Sequence, residues 1–285
     1  MKKHIKLGTR GSKLAVTQST WVAEQIQKNT GVQVELVIIV TRGDRIQNKP
    51  LPEVGGKGLF TAELEQGLRE GSIDIAVHSL KDLPTDDPEG LCIGAIPKRE
   101  DPRDALVGSQ QPTIIGTGSL RRQVQIQKYF NGIREERIET AIEVRGIRGN
   151  VDTRLSKLDD GKYDSIILAM AGLRRLGIER EDIHPIDFQR MVPAPGQGAL
   201  GVQTRSNDTQ ILDILSTIHD EITFQCVQAE RRVLEGVGGG CHTPIGCHIY
   251  QKTNGVFEGF FFDGTKREEY VASSPDEIAT KFLSL

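Results

Sequence analysis

The chain has 285 residues, 37% hydrophobic and 26% charged, with a formal net charge of −3; that length holds two or three domains with cores of their own, and the charge gives no general pull towards nucleic acid or anionic lipid. No apolar run approaches the roughly 18 residues that span a bilayer. The four cysteines (Cys92, Cys226, Cys241, Cys247) form no CxxC pair, and the first residues lead into a strand-like segment without an apolar signal region, so a cytoplasmic protein with reduced thiols is expected.

Residues 5–8 are predicted as a short strand and 14–28 as a helix, with Leu14, Ala15, Gln18, Val22 and Ile26 at helical spacing. The β-branched run 32–40 predicts a buried strand. Residues 58–70 form a second amphipathic helix, and 73–77 a third strand that leads into His78-Ser79-Leu80-Lys81-Asp82-Leu83-Pro84. Strands alternating with helices predict a mainly parallel, doubly wound α/β sheet, with ligands at strand carboxyl ends. The charged stretch at 97–104 marks a crossing into a second α/β pattern, with strands over 114–116, 138–144 and 165–169 and helices over 119–129 and 150–158. A proline- and glycine-rich break follows at 191–201. Helices over 209–219 and 223–234 then lead to the glycines before Cys241. Strands over 246–251, 256–262 and 266–272 are joined by Asn254-Gly255 and Asp263-Gly264, which turn antiparallel hairpins. A helix over 276–283 covers them.

Three groups of residues carry chemistry. Cys241 follows Gly238-Gly239-Gly240, a backbone that bends sharply and presents its thiol. On the loop alone, a nucleophile and a small apolar side chain fit equally well. Lys81 and Asp82 stand just past a buried strand, where a carboxylate steadies a developing cation and moves protons; the alternative is a surface ion pair of little energy. Finally, Thr9–Ser12, Gly116–Arg122 and Arg148–Arg154 each set glycine, a small polar residue and arginine at a strand-to-helix turn, where N–H groups and the helix dipole favour an anion. One such turn is ordinary capping. Three predict a ligand with several negative groups. Gly55-Gly56-Lys57-Gly58 lacks P-loop spacing, so no nucleotide site is expected. Cys241-His242 and Cys247-His248 are adjacent pairs pointing to opposite sides of extended chain, so no metal is expected.

Val54-Gly55-Gly56-Lys57-Gly58-Leu59-Phe60, Val77–Pro84, Lys98–Ala105, Gly118-Ser119-Leu120-Arg121-Arg122, Arg148–Leu155, Pro195-Gly196-Gln197-Gly198-Ala199 and Gly238–Gly246 occur in this order. Together they resemble the porphobilinogen deaminase (hydroxymethylbilane synthase) family, over about residues 9–246. The resemblance implies two α/β lobes like those of type II periplasmic binding proteins, residues 1–96 with 191–207 and residues 97–190, and a small α+β domain over 208–285. It implies a dipyrromethane cofactor held by Cys241 through a thioether. It further implies that four porphobilinogen molecules are added head to tail, each losing ammonia, and that hydrolysis releases a linear tetrapyrrole for haem and porphyrin biosynthesis. Asp82, expected as a buried carboxylate, would stabilise the azafulvene cation left by ammonia. Arg10, Ser12, Lys57, Lys81, Ser119, Arg121, Arg122, Arg148, Arg154, Arg175 and Gln197 match cofactor and substrate contacts. The sequence departs from the family at Gly118, where serine is common, and at Glu53, which takes the place of a lysine. A monomer acting on a small molecule, without nucleic acid or membrane, is expected. A two-lobed solute-binding protein would account for the arginines but not for a third domain presenting a thiol. A thiol redox protein lacks a resolving-cysteine motif.

Overall fold

The computed structural model describes residues 2–45, 61–133, 142–239 and 243–285. The first elements are β1 (His4–Thr9), α1 (Lys13–Thr30), β2 (Gln33–Ile38), α2 (Arg42–Arg45), α3 (Ala62–Glu70), β3 (Ile75–Ser79), a 3₁₀ turn (Leu80–Asp82) and β4 (Leu91–Ala95). Then come β5 (Asp104–Gly108), β6 (Ile114–Gly116), α4 (Leu120–Ile133), β7 (Glu143–Arg145), α5 (Val151–Asp159), β8 (Ser165–Ala169), α6 (Met170–Arg175) and β9 (Ile183–Ile186). The last are β10 (Leu200–Arg205), α7 (Thr209–Ser216), α8 (Glu221–Gly236), β11 (Gly246–Gln251), β12 (Phe257–Phe262), β13 (Arg267–Ala272) and α9 (Pro275–Leu283). No helix among the described residues is long and apolar enough to cross a membrane.

The chain divides into two compact units, Met1–Arg99 with Ala199–Phe224 and Glu100–Gly198 with Gln225–Leu285. The first holds a five-stranded sheet in the order β2-β1-β3-β10-β4. β1 runs parallel to β2 and β3, while β10 is antiparallel to β3 and β4. Alternation on β3 sends Ile75 and Val77 to a core with Leu7, Val22, Ile26 and Leu215, and Ala76 to a second core with Leu64, Leu68 and Ile73. The sheet is therefore covered on both faces, as a doubly wound strand pattern requires.

In the second unit the order is β7-β6-β8-β5-β9, with β6 parallel to β7 and β8, and β5 antiparallel to β8 and β9. Here too alternate residues face opposite cores: Ile166 and Leu168 meet Ala105, Val107 and Leu155, while Ile167 meets Leu106, Ile115 and Ile126. The mixed α/β architecture is thus two lobes of one strand order. The same unit contains the antiparallel sheet β11-β12-β13. Its middle strand is buried along its length. Phe261 packs against Cys226, Val233, Ile278 and Phe282, and Phe260 and Phe262 pack against Val192.

These divisions differ from the expected boundaries at 191 and 208. Residues 192–197 are bonded within the second unit, so the chain returns to the first at Gly198–Ala199. α7, expected in the third domain, buries Ile211, Ile214 and Leu215 in the core of the first unit.

Candidate functional site

In the first unit the candidate residues collect at the carboxyl ends of β1 and β3. Ser12 caps α1, its hydroxyl accepting from the Ala15 N–H at 3.3 Å. Gln18 on that helix donates to the Ser79 hydroxyl at 3.1 Å. Next to Ser79, His78 is buried, and its Nε2 lies 3.2 Å from the Gln203 side-chain oxygen. Since that oxygen only accepts, Nε2 carries the proton. Burial pushes the imidazole down to about 4; the Gln203 bond opposes this and the Arg10 charge adds to it. His78 is therefore a neutral group beside a cation.

Lys81 and Asp82 occupy the 3₁₀ turn directly after β3, where the sequence places them. Lys81 is half-buried, but Asp82 is exposed, which corrects the expectation of a buried carboxylate. The turn is the reason: Leu80 and Leu83 take its inward positions, and the acid between them faces out.

In the second unit the turns after β6 and β7 lie side by side. The Thr117 N–H donates to the Arg145 carbonyl at 2.9 Å. A Cβ at Gly118 would stand 2.9 Å from the Ile147 carbonyl oxygen. A serine there would press on that backbone, so the glycine at this family departure fits its surroundings. Ser119 starts α4, its carbonyl accepting from the Gln123 N–H at 2.9 Å and its hydroxyl standing 3.5 Å from the Arg122 N–H.

Gly149 adopts φ +113°, and a Cβ there would lie 2.7 Å from Thr153, so the turn into α5 requires glycine. The Asn150 side chain makes no capping bond at the start of α5, leaving first-turn N–H groups to an anion. Arg154 donates to the Gly149 carbonyl at 2.8 Å and Lys157 to that of Arg148 at 2.9 Å, holding the loop to the helix while the Arg148 side chain is exposed. The starts of α4 and α5, which carry Ser119 and Arg154 with Arg148 on the preceding turn, thus follow adjacent strands with their turns side by side.

Arg121 and Arg122 do not join them at the surface. Both are buried against Asp104, which is itself fully buried. Arg121 reaches its Oδ2 at 2.7 Å and the Val192 carbonyl at 2.6 Å. Arg122 reaches Oδ1 through Nε at 3.0 Å and the Ile167 carbonyl at 3.0 Å. Gln197 is buried as well, and its amide donates to Asp104 at 2.8 Å and to the Pro102 carbonyl at 2.7 Å. Burial alone would raise the Asp104 pKa, but the two guanidiniums and the Gln197 bond outweigh it and hold the carboxyl well below the usual carboxylate range. The strand-to-helix turn was expected to offer these arginines to a ligand. On the inner face of α4 both reach Asp104, an acid of the chain.

Arg175, at the end of α6, donates to the Gly198 carbonyl at 2.7 Å, and burial lowers its pKa to about 10, against a smaller opposing effect of Glu100. Lys57 and Cys241, with Glu53, lie outside the described residues.

Sequence reasoning assigned no role to Asp104, His78, Gln203 or Glu230. For Asp104 a signal existed: an acid opening the apolar run Ala105-Leu106-Val107 enters a core only with a cation. For Glu230 there was none, since an acid on a charged helix normally faces solvent.

A family model described as "Porphobilinogen deaminase, dipyromethane cofactor binding domain" matches residues 5–213. The porphobilinogen deaminase of Staphylococcus carnosus (strain TM300) is 44% identical over 291 residues, covering 97% of this chain and 91% of that protein. That of Listeria monocytogenes serovar 1/2a (strain ATCC BAA-679 / EGD-e) is 44% identical over 301 residues, covering 99% and 94%. Among solved structures, the methionine binding protein MetQ is similar at 13% identity and a TM-score of 0.46, covering 78% of this chain and 92% of its own.

Proposed function

Since this chain belongs to the porphobilinogen deaminase family, we propose that it is a hydroxymethylbilane synthase that joins four porphobilinogen molecules head to tail, releases ammonia at each step and frees the product by hydrolysis. It is a transferase of porphyrin biosynthesis. The cofactor is dipyrromethane, and Cys241 is the residue we assign to it, through a thioether. When bound, the group supplies an electron-rich pyrrole carbon to which incoming units are joined. Three functional regions, two lobes and a cysteine-bearing C-terminal sheet, belong to the same reading, as does a cytoplasmic monomer without nucleic acid or membrane partners.

The observation that carries the reading is the pairing of two helix starts with Ser119, Arg148 and Arg154. Each pyrrole bears an acetate and a propionate, so the ligand is a polyanion, and this donor set suits it. In the first unit Arg10, Ser12 and Lys81 serve cofactor and substrate carboxylates. Lys57 and Arg175 add positive charge, and His78, kept neutral, adds none. Asp82, on an exposed turn at a strand end, accepts pyrrole N–H groups and offsets the positive charge that develops as ammonia leaves. Arg121, Arg122 and Gln197 act one step back, fixing the end of the sheet through Asp104.

Intact mass spectrometry tests the assignment. Protein from cells able to make porphobilinogen carries the added mass of a dipyrromethane, and Cys241→Ser loses both that mass and turnover. Active wild-type protein with apoprotein mass alone would exclude the tether.

A further inference from the structure

Within the second unit one acid outside the ligand-facing groups joins three segments. Glu230, on α8, is fully buried. Its Oε2 accepts from the Gly196 N–H at 2.7 Å, and its Oε1 from the Ile249 N–H at 2.8 Å, with His248 Nδ1 at 3.2 Å. Gly196 immediately precedes Gln197, whose amide holds Asp104 and through it Arg121 and Arg122. Ile249 and His248 belong to β11. Since α8 ends at Gly236 and β11 begins at Gly246, the bond from Glu230 to Ile249 ties together the two flanks of the connection in which Cys241 stands.

We infer that Glu230 is a positioning residue, whose carboxylate fixes α8 and β11, the two elements flanking the cysteine-bearing connection, to Gly196 beside the Gln197 that orders the arginine cluster. The inference rests on the proposed function in making Cys241 the point of cofactor attachment. The chemistry of the contacts explains why an acid is needed. Two backbone donors approach opposite oxygens, so both must accept. Glutamine has the same shape but one acceptor; whichever way its amide turns, an NH₂ group faces an N–H. Burial makes that mismatch costly, and a shift of about 1 Å at a reacting centre lowers rates on the order of a hundredfold.

The test compares full-length Glu230→Gln with wild type and with Phe282→Leu, which loosens the core of the same sheet without touching the carboxylate. Three quantities are measured: hydrogen exchange at the Gly196 and Ile249 amides, the fraction of chains carrying the cofactor mass, and kcat and KM for porphobilinogen. In Glu230→Gln both amides should exchange at least about tenfold faster. The loaded fraction should fall by about fivefold or more, and kcat of loaded chains by roughly ten- to a hundredfold with KM within about twofold. Phe282→Leu should melt earlier with loading and kcat unchanged. If Glu230→Gln does not fold, Glu230→Asp, one methylene shorter, is held to the same criteria. Wild-type loading and kcat in Glu230→Gln would overturn the inference, as would equal losses in Phe282→Leu. Wild-type protein without added mass would instead defeat the proposed function, and exchange at Gly196 and Ile249 would then decide the positioning role alone.

Discussion

The two five-stranded sheets share one strand order and one pattern of directions, yet they treat polar groups at the end of the sheet in opposite ways. In the second unit, Asp104 at the start of the fourth strand is buried with two arginines. In the first, the neutral pair of His78 and Gln203 joins the third and fourth strands, and the charged residues Lys81 and Asp82 stand on the turn beyond. A shared backbone therefore delivers strand ends to equivalent places, while side-chain chemistry decides whether charge there is buried in the core or stands on the turn beyond it. A count of arginines therefore does not describe their surroundings: Arg121 and Arg122 are buried with a counter-charge at Asp104, while Arg148 is exposed.

The sharpest way to break this comparison is to neutralise the two aspartates in turn. Asp104→Asn leaves two buried guanidiniums without their counter-charge and should cost about 3–5 kcal/mol of stability, read from chemical denaturation; a loss under about 1 kcal/mol would show that the cluster is not structural. Asp82→Asn, on an exposed turn, should change stability by less than about 0.5 kcal/mol yet lower kcat by roughly 10²–10⁴; near-normal turnover would take Asp82 out of the mechanism.

Acidification separates the units next. His78 has a folded pKa near 4 against an ordinary 6.5, so between those values the unfolded chain binds a proton that the folded one refuses. Its stability is complete above pH 6.5 and declines towards pH 4, by about 3 kcal/mol in full. Asp104, also depressed, keeps its contribution until the pH drops below 3.8. Peptide-resolved hydrogen exchange between pH 7 and 4 should show the first unit loosening before the second, with the slope flattened in His78→Gln. Simultaneous loosening, or an unchanged slope, would contradict the assignment. The smallest effect belongs to Arg148→Leu: a drop of about tenfold in kcat/KM, near 1.4 kcal/mol of binding, with the melting temperature unmoved. Wild-type kinetics would leave that arginine to solvent.

Much of the fold was legible from periodicity. The strands at 114–116 and 165–169 coincide with β6 and β8, and the hairpins at Asn254-Gly255 and Asp263-Gly264 join β11, β12 and β13. Three of the strands not predicted each have a local reason. β10 begins within a glycine- and proline-rich stretch that reads as a break, β5 opens on a charged residue, and β9 contains Pro185, which an edge strand tolerates because one side of its backbone needs no partner. Among the candidate site residues, the placement of Lys81, Ser119 and Arg148 at turns was legible because helix and strand ends have local signatures. Asp104 with its arginines was not, since that cluster joins segments 17 and 75 residues apart, and short-range spacing carries no trace of such meetings. The exposure of Asp82 was misjudged for a similar reason: a 3₁₀ turn reverses which neighbour points inward.

The placement of β10 bears on how the chain is made. Among the described residues β4 neighbours only β10 in its sheet, so Leu91–Ala95 emerges from the ribosome about a hundred residues before the strand it is bonded to. Until then the nascent amino-terminal half presents an open slot between two strand edges, the kind of surface on which incomplete chains associate. Synthesis of the whole intervening lobe must finish before that gap is filled, which makes the order of manufacture differ from the order of assembly.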